Sequence, residues 1–133
     1  MNEYNFKINP CPAPRMTQSD RWNKRPVVQR YFAFRDELKY LAYLNGCEGI
    51  PGTLDAIIFS IPMPKSWSNK KRAEMEGTAH TQTPDLDNLL KAFLDALCPQ
   101  DSYIHCIGKL KKVWSKEGNI HLKICKNSNV TLH

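Results

Sequence analysis

Residues 84–99 constrain the fold more than any other stretch of the chain. Between Pro84 and Pro99 stand Leu86, Leu89, Leu90, Phe93, Leu94 and Leu97, which at about 100° per residue fall within an arc of about 140°. The segment therefore reads as a helix with one apolar face, and that face must be buried against another layer. Pro99 cannot continue the helix, so it ends by Leu97. Asp87, Asn88, Lys91 and Asp95 occupy the opposite side.

The other layer is legible as strands. Leu54 to Ile61 is apolar and β-branched between Gly52 and Pro62, the pattern of a central strand buried on both faces. Tyr4, Phe6 and Ile8 alternate with polar residues until Pro10, Pro12 and Pro14 end the strand. Tyr103 to Trp114 and Asn119 to Cys125 also alternate, and Lys116-Glu117-Gly118 between them holds a turn glycine. They are expected to form a β-hairpin. Val27, Tyr31, Phe34, Leu38 and Leu41 trace a helical stripe from Pro26 to the stop at Asn45-Gly46. A short helix opens near Ser68 and ends at Gly77, and Arg15 to Pro26 reads as an exposed basic loop carrying Arg21 and Lys24. The expected architecture is one α/β (α+β) domain over residues 1–133. It has a mixed sheet, two main helices and a C-terminal hairpin.

Charge narrows the partners. Lys and Arg number 19 against 13 acids, a net +6, which favours an anionic partner. The longest apolar run, Tyr40 to Leu44, is too short to cross a bilayer. No apolar stretch of signal-peptide length opens the chain, so the expected compartment is the cytoplasm. Five cysteines without C-x-x-C spacing argue against a disulfide framework and against a paired zinc site drawn from Cys98, His105, Cys106, His121 and Cys125. His80 is expected to be a solvated loop histidine.

The helix carries the chemistry in Asp85-Leu86-Asp87-Asn88-Leu89-Leu90-Lys91, with Asp95 and Asp101 further on. Its polar side is also what a solvated helix face looks like, with Asp87–Lys91 and Lys91–Asp95 as ordinary i,i+4 pairs. Two acids inside the helix at these positions would point about 160° apart. They can share an ion only if Asp85 stands before the helix, in an extended approach. Asp101 is expected to return a third carboxylate to the start or side of the helix. Such a set suits Mg²⁺ or Mn²⁺, hard ions held by one or two carboxylates plus substrate phosphates. Lys91, one turn beyond Asp87, is placed to offset charge at a leaving oxygen. Without the three acids, 19 cationic side chains face 10 remaining acids, a balance of +9. Lys109 and Lys111 share one strand face suited to phosphates, and Lys70, Lys71 and Arg72 add positive charge at the surface.

With Asn88, Lys91, Asp95 and Asp101 in register behind Asp85 and Asp87, the stretch over about residues 82–114 resembles the RusA family of Holliday junction resolvases, especially its phage and prophage members. The resemblance implies a homodimeric, Mg²⁺-dependent endonuclease that cuts four-way DNA junctions by paired symmetric nicks. It implies metal-binding roles for Asp85, Asp87 and Asp101, a catalytic role for Lys91 and supporting roles for Asn88 and Asp95. The sequence departs from the family pattern at the short Cys98-Pro99-Gln100 link and at Thr83-Pro84, where basic residues often stand. Two alternatives remain at this point. One is a non-enzymatic, basic nucleic-acid-binding module whose acids only cap its helix, and the other a nuclease preferring other branched DNA.

Overall fold

The computed structural model describes residues 3–17 and 25–124. Arg21 and Lys24 of the basic loop, and Cys125, lie outside the described residues. The elements follow in the order β1 (Glu3–Phe6), α1 (Pro26–Leu44), β2 (Thr53–Pro62), α2 (Asn69–Met75), α3 (Leu86–Leu97), a 3-10 turn (Asp101–Tyr103), β3 (Cys106–Ser115) and β4 (Asn119–Ile124). Pro26 starts α1 at a position where its missing N–H costs nothing. Gly46, with φ +74°, closes the helix in a conformation that other residues resist. Ser68 caps α2 by accepting the Lys71 amide at 3.2 Å.

One mixed sheet of order β1-β4-β2-β3 forms the second layer. β2 is central, as its composition predicts; it runs parallel to β3 and antiparallel to β4. Helices α1 and α3 lie together on one side of it. Their buried residues Tyr31, Phe34, Leu38, Leu89 and Phe93 join Phe6, Ile57, Phe59, Ile120 and Leu122 in a single core, with Phe93 edge-on to Phe59 at 6.3 Å.

Three expectations need correction. The last two strands are not a hairpin, because β2 lies between them and each pairs with β2 instead. A tight hairpin needs residues of positive φ, and no residue of the Ser115–Asn119 connection has one. The connection steps across β2, two strand spacings or about 10 Å. Gly118 serves a different need: a Cβ there would stand 2.6 Å from Asn9 Cα, so the loop after β1 can pass only over a glycine. Next, β2 is fully buried on one face only, Ala56 being the one buried residue of the other face. Ile57 and Phe59 face the helices, whereas Ile58 and Ser60 alternate onto a half-buried open face. Finally, β3 begins at Cys106, since Asp101–Tyr103 is a 3-10 turn.

Candidate active site

The start of α3 is reached along a clamped approach. After α2, Gly77 (φ +79°) turns the chain back beside β3. There the Gly77 amide donates to Trp114 O at 2.8 Å and the His80 amide donates to Lys112 O at 3.1 Å. Lys112 points to the helix side of this edge strand, at the level of Phe59. Its Nζ donates to the carbonyls of Gln82 and Pro84, the latter at 2.6 Å. The backbone is thus held on both sides of the cis Thr83–Pro84 bond just before the first acid. Sequence reasoning missed Lys112; a lysine at core-side parity in an edge strand was the available signal.

Asp85 is the residue before the helix, with φ −70° and ψ 146°. This is the extended approach that sharing an ion with Asp87 requires. Aspartate at this position ordinarily caps the helix with its carboxylate, but Asp85 makes no side-chain capping hydrogen bond. Its carboxylate is not consumed by the helix end. Asp87 Oδ1 accepts the Asn88 amide at 2.9 Å, and both acids are exposed.

One turn further on, Lys91 Nζ lies 3.6 Å from Asp95 Oδ2. The same oxygen accepts the Tyr31 hydroxyl at 2.9 Å. Burial, together with this carboxylate, pushes the Tyr31 phenol up to about 12. Asp95 therefore ties α1 to α3 and steadies Lys91. Asn88 contributes through its carbonyl, which accepts the Ala13 amide at 3.1 Å and fastens the segment after β1 to the helix.

Asp101 does not join the pair. α3 has 12 residues, an axial length of about 18 Å, and Asp101 follows its far end. The turn that bears Asp101 is anchored at the beginning of β2: Tyr103 Oη donates to Ile50 O at 2.6 Å and the His105 amide donates to Gly52 O at 2.9 Å. The His105 ring rests over Gly52, where a Cβ would meet Nδ1 at 2.9 Å, and its Nε2 lies 3.3 Å from Thr53 Oγ1. Among the described residues, no group of three or more His, Cys, Asp or Glu stands close enough to hold a metal ion. The expectation of three acids converging within one chain is corrected, because the three-residue link after Leu97 is too short to return Asp101 along the helix.

The basic residues divide in the same way. Lys71 Nζ sits 4.4 Å over the Trp67 ring and Arg72 Nη1 donates to Pro64 O at 3.0 Å, while Lys70 is exposed. Lys109 and Lys111 are exposed on the open face of the sheet, opposite α3. His80 is not solvated: it is 4% exposed, its ring 4.2 Å from Trp114. Burial, then the Lys112 charge, lowers its pKa.

A comparison with protein families matches residues 7–125 to endodeoxyribonuclease RusA. The chain belongs to the RusA family. No curated sequence matches it. The RusA match spans both acid-bearing ends of α3 and every strand but the first, and the family implies an endodeoxyribonuclease of Holliday junctions. No helix among the described residues is long and apolar enough to cross a membrane. The donor chemistry at the start of α3 fits a hard divalent ion: two exposed carboxylates, one of them spared from capping.

Proposed function

We propose that the chain is a Mg²⁺-dependent resolvase that works as a homodimer and cuts four-way DNA junctions by paired symmetric nicks. It would act in the cytoplasm of a bacterium or phage-infected host. One observation carries the reading. The acids stand at opposite ends of a helix about 18 Å long, and Asp85 leaves its carboxylate uncapped. A two-fold pair of chains with antiparallel α3 helices would bring each Asp101 to the partner's acid pair. It would also supply the two equivalent sites that a two-fold junction requires.

In this reading Asp85 and Asp87 hold the ion, and Asp101 of a second copy completes the set. The chemistry supplied by bound Mg²⁺, or Mn²⁺, is neutralisation of phosphodiester charge and activation of water. Lys91 places a positive charge toward the leaving oxygen, released from Asp95 as the phosphate arrives. Lys112 keeps the approach to Asp85 fixed, so the acids need not reorganise when DNA binds. Lys70 is placed to meet flanking phosphates.

The test is incubation of labelled four-way, flap and linear DNA with the protein, with and without Mg²⁺. Paired symmetric nicks in the junction alone, only with metal, support the proposal. Equal cleavage of flaps replaces it with a general branch nuclease, and binding without cleavage in either metal makes the chain a non-enzymatic module.

A further inference from the structure

The register of the sheet collects side chains that the acid site does not use. On the face turned away from α1 and α3, Ala56 is flanked by Lys109 and Lys123, and Ile58 by Lys111 and His121. Three lysines from two strands thus stand within two rungs of one another. They lie about 7 Å apart along β3 and about 10 Å apart across β2. Lys109 and Lys111 are exposed. Among the described residues none of the three has a carboxylate partner.

The acids of the four strands are Glu3 and Asp55, and neither forms an ion pair with these lysines among the described residues. Glu3 is nevertheless the cross-strand neighbour of Lys123 and lowers the charge at that corner, so the cationic centre of the face is Lys109 and Lys111. Glu3 lies on the outermost strand with Oε1 3.5 Å from His121 Nε2, and Asp55 is the extra residue of a bulge at the beginning of β2. Apart from the half-buried Ile58 and Val113, the rest of the face is polar or small. Asn119 Nδ2 donates to Asn5 Oδ1 at 3.0 Å, and the His121 ring meets the same oxygen at 3.0 Å. The exposed large apolar residues, Met16, Tyr40, Tyr43, Leu44 and Tyr103, all belong to other parts of the molecule. A second copy pressed against this face would oppose lysine to lysine across a poorly apolar surface. An anionic partner is favoured by the same arrangement.

Rising from the reading as a junction nuclease, we infer that this open face is a second DNA-docking surface, one that holds an uncut duplex arm of the same branched molecule. The core separates it from α3, so these lysines do not contact the phosphate at Asp85 and Asp87. Continuity runs through β3. Lys111 and Lys112 are neighbours on that edge strand and point to opposite sides, Lys111 to the open face and Lys112 to the carbonyls before Asp85. A duplex leaving the acid site at the β3 edge therefore meets Lys111 and Lys109 first, then Lys123.

The experiment measures binding in the absence of metal, so it is decided whether or not the protein cuts. The full-length variant with Lys109→Ala, Lys111→Ala and Lys123→Ala is titrated against junctions with long and with truncated arms across a range of salt. For long arms the affinity should fall at least tenfold at low salt. The log–log salt slope should become shallower by about 2 to 3, near 0.9 for each lost phosphate contact. For truncated arms, wild type and variant should bind alike, and the matching triple Lys→Arg variant should restore the long-arm affinity. An unchanged salt slope, or an equal loss on truncated arms, overturns the inference. Failure of the wild type to cut any junction would overturn the proposed activity and leave this result standing.

Discussion

The two ends of α3 hold their carboxylates by different means. At the N-terminal end the approach is pinned by a charge: Lys112 gathers two backbone carbonyls and leaves Asp85 extended and uncapped. At the C-terminal end the turn bearing Asp101 is pinned without a lysine, by the Tyr103 hydroxyl on Ile50 O and the His105 ring seated over Gly52. Both ends are fixed to the sheet, one at the level of Phe59 and the other beside Thr53. The difference teaches that neither end can travel to the other. About six residues of strand, on the order of 20 Å, lie between them. If the proposed set forms, it is assembled by association rather than by loop closure.

The comparison is broken most severely by removing an acid from either end. Asp87→Asn and Asp101→Asn should each lower the single-turnover cleavage rate by about a thousandfold or more, as expected when several kcal/mol of charge stabilisation is lost. Each variant should still bind junctions without metal at least as tightly as wild type, since a negative charge has gone. Mixing the two variants is the sharper measurement. If the acids combine across a pair of chains, a mixed dimer has one site with all its carboxylates, and nicking of one strand returns. If each chain completes its own site, the mixture stays inactive.

Lys91→Ala comes next, with an expected loss on the order of a hundredfold in rate and little change in junction affinity. Because Lys91 rests 3.6 Å from Asp95, Asp95→Asn should free the lysine and have a milder effect. A normal rate in Lys91→Ala would return the residue to an ordinary surface pair.

How far the sequence carried these conclusions differs from element to element. The leucine and phenylalanine spacing between Pro84 and Pro99 was sufficient for α3, and stereochemistry alone required Asp85 to stand outside it. The length of that helix was equally legible and already opposed a return of Asp101 to its start. Strand pairing was not legible in the same way, because alternation reports which face a residue takes and says nothing of which strand it joins. Gly118 looked like a hairpin glycine, yet its role is to let Asn9 pass. His80 and Lys112 were hidden for a related reason. Each acquires its function from a neighbour distant in sequence: His80 from Trp114, and Lys112 from Gln82 and Pro84.

A smaller effect is expected from Lys112→Met, which keeps the aliphatic stem and removes the clamp. The rate should fall about tenfold, the share expected of charge-assisted hydrogen bonds worth about 1.5 kcal/mol. Hydrogen exchange should rise in residues 79–87 and not around Asp101. Gly52→Ala is the counterpart at the other end. A Cβ there would stand 2.7 Å from Tyr103 O, so the turn must shift, and exchange should rise around residues 100–105 alone.

The smallest effects are those of pH, and here the ends should fail in opposite directions. Burial and the Lys112 charge hold the His80 pKa below its ordinary 6.5. Above that value the imidazole is neutral both folded and unfolded, and its contribution to stability is fully present. As pH falls, the unfolded chain takes up the proton first, and stability is lost through the lower folded pKa. At the C-terminal end the Tyr103 phenol is raised from 10.0 to about 12 by partial burial of its hydroxyl end, with Cys98 and Asp101 adding to it. The residue is 46% exposed, so solvent screening keeps its contribution small. Its contribution is complete below about pH 10 and is lost as pH rises toward 12. The Tyr31 phenol, also raised to about 12, loses its contribution in the same window, so a global melting curve cannot tell the two tyrosines apart. Exchange followed by mass spectrometry can. Acid should loosen residues 77–84 first, and alkali should loosen residues 100–105. His80→Phe should flatten the acid limb by a few degrees of melting temperature at most, and Tyr103→Phe should reduce the alkaline loosening of the Asp101 turn while leaving that near Tyr31. If acid loosens the Asp101 turn as much as the approach to Asp85, the two anchors are not independent, and the contrast between a lysine clamp at one end and a tyrosine anchor at the other fails.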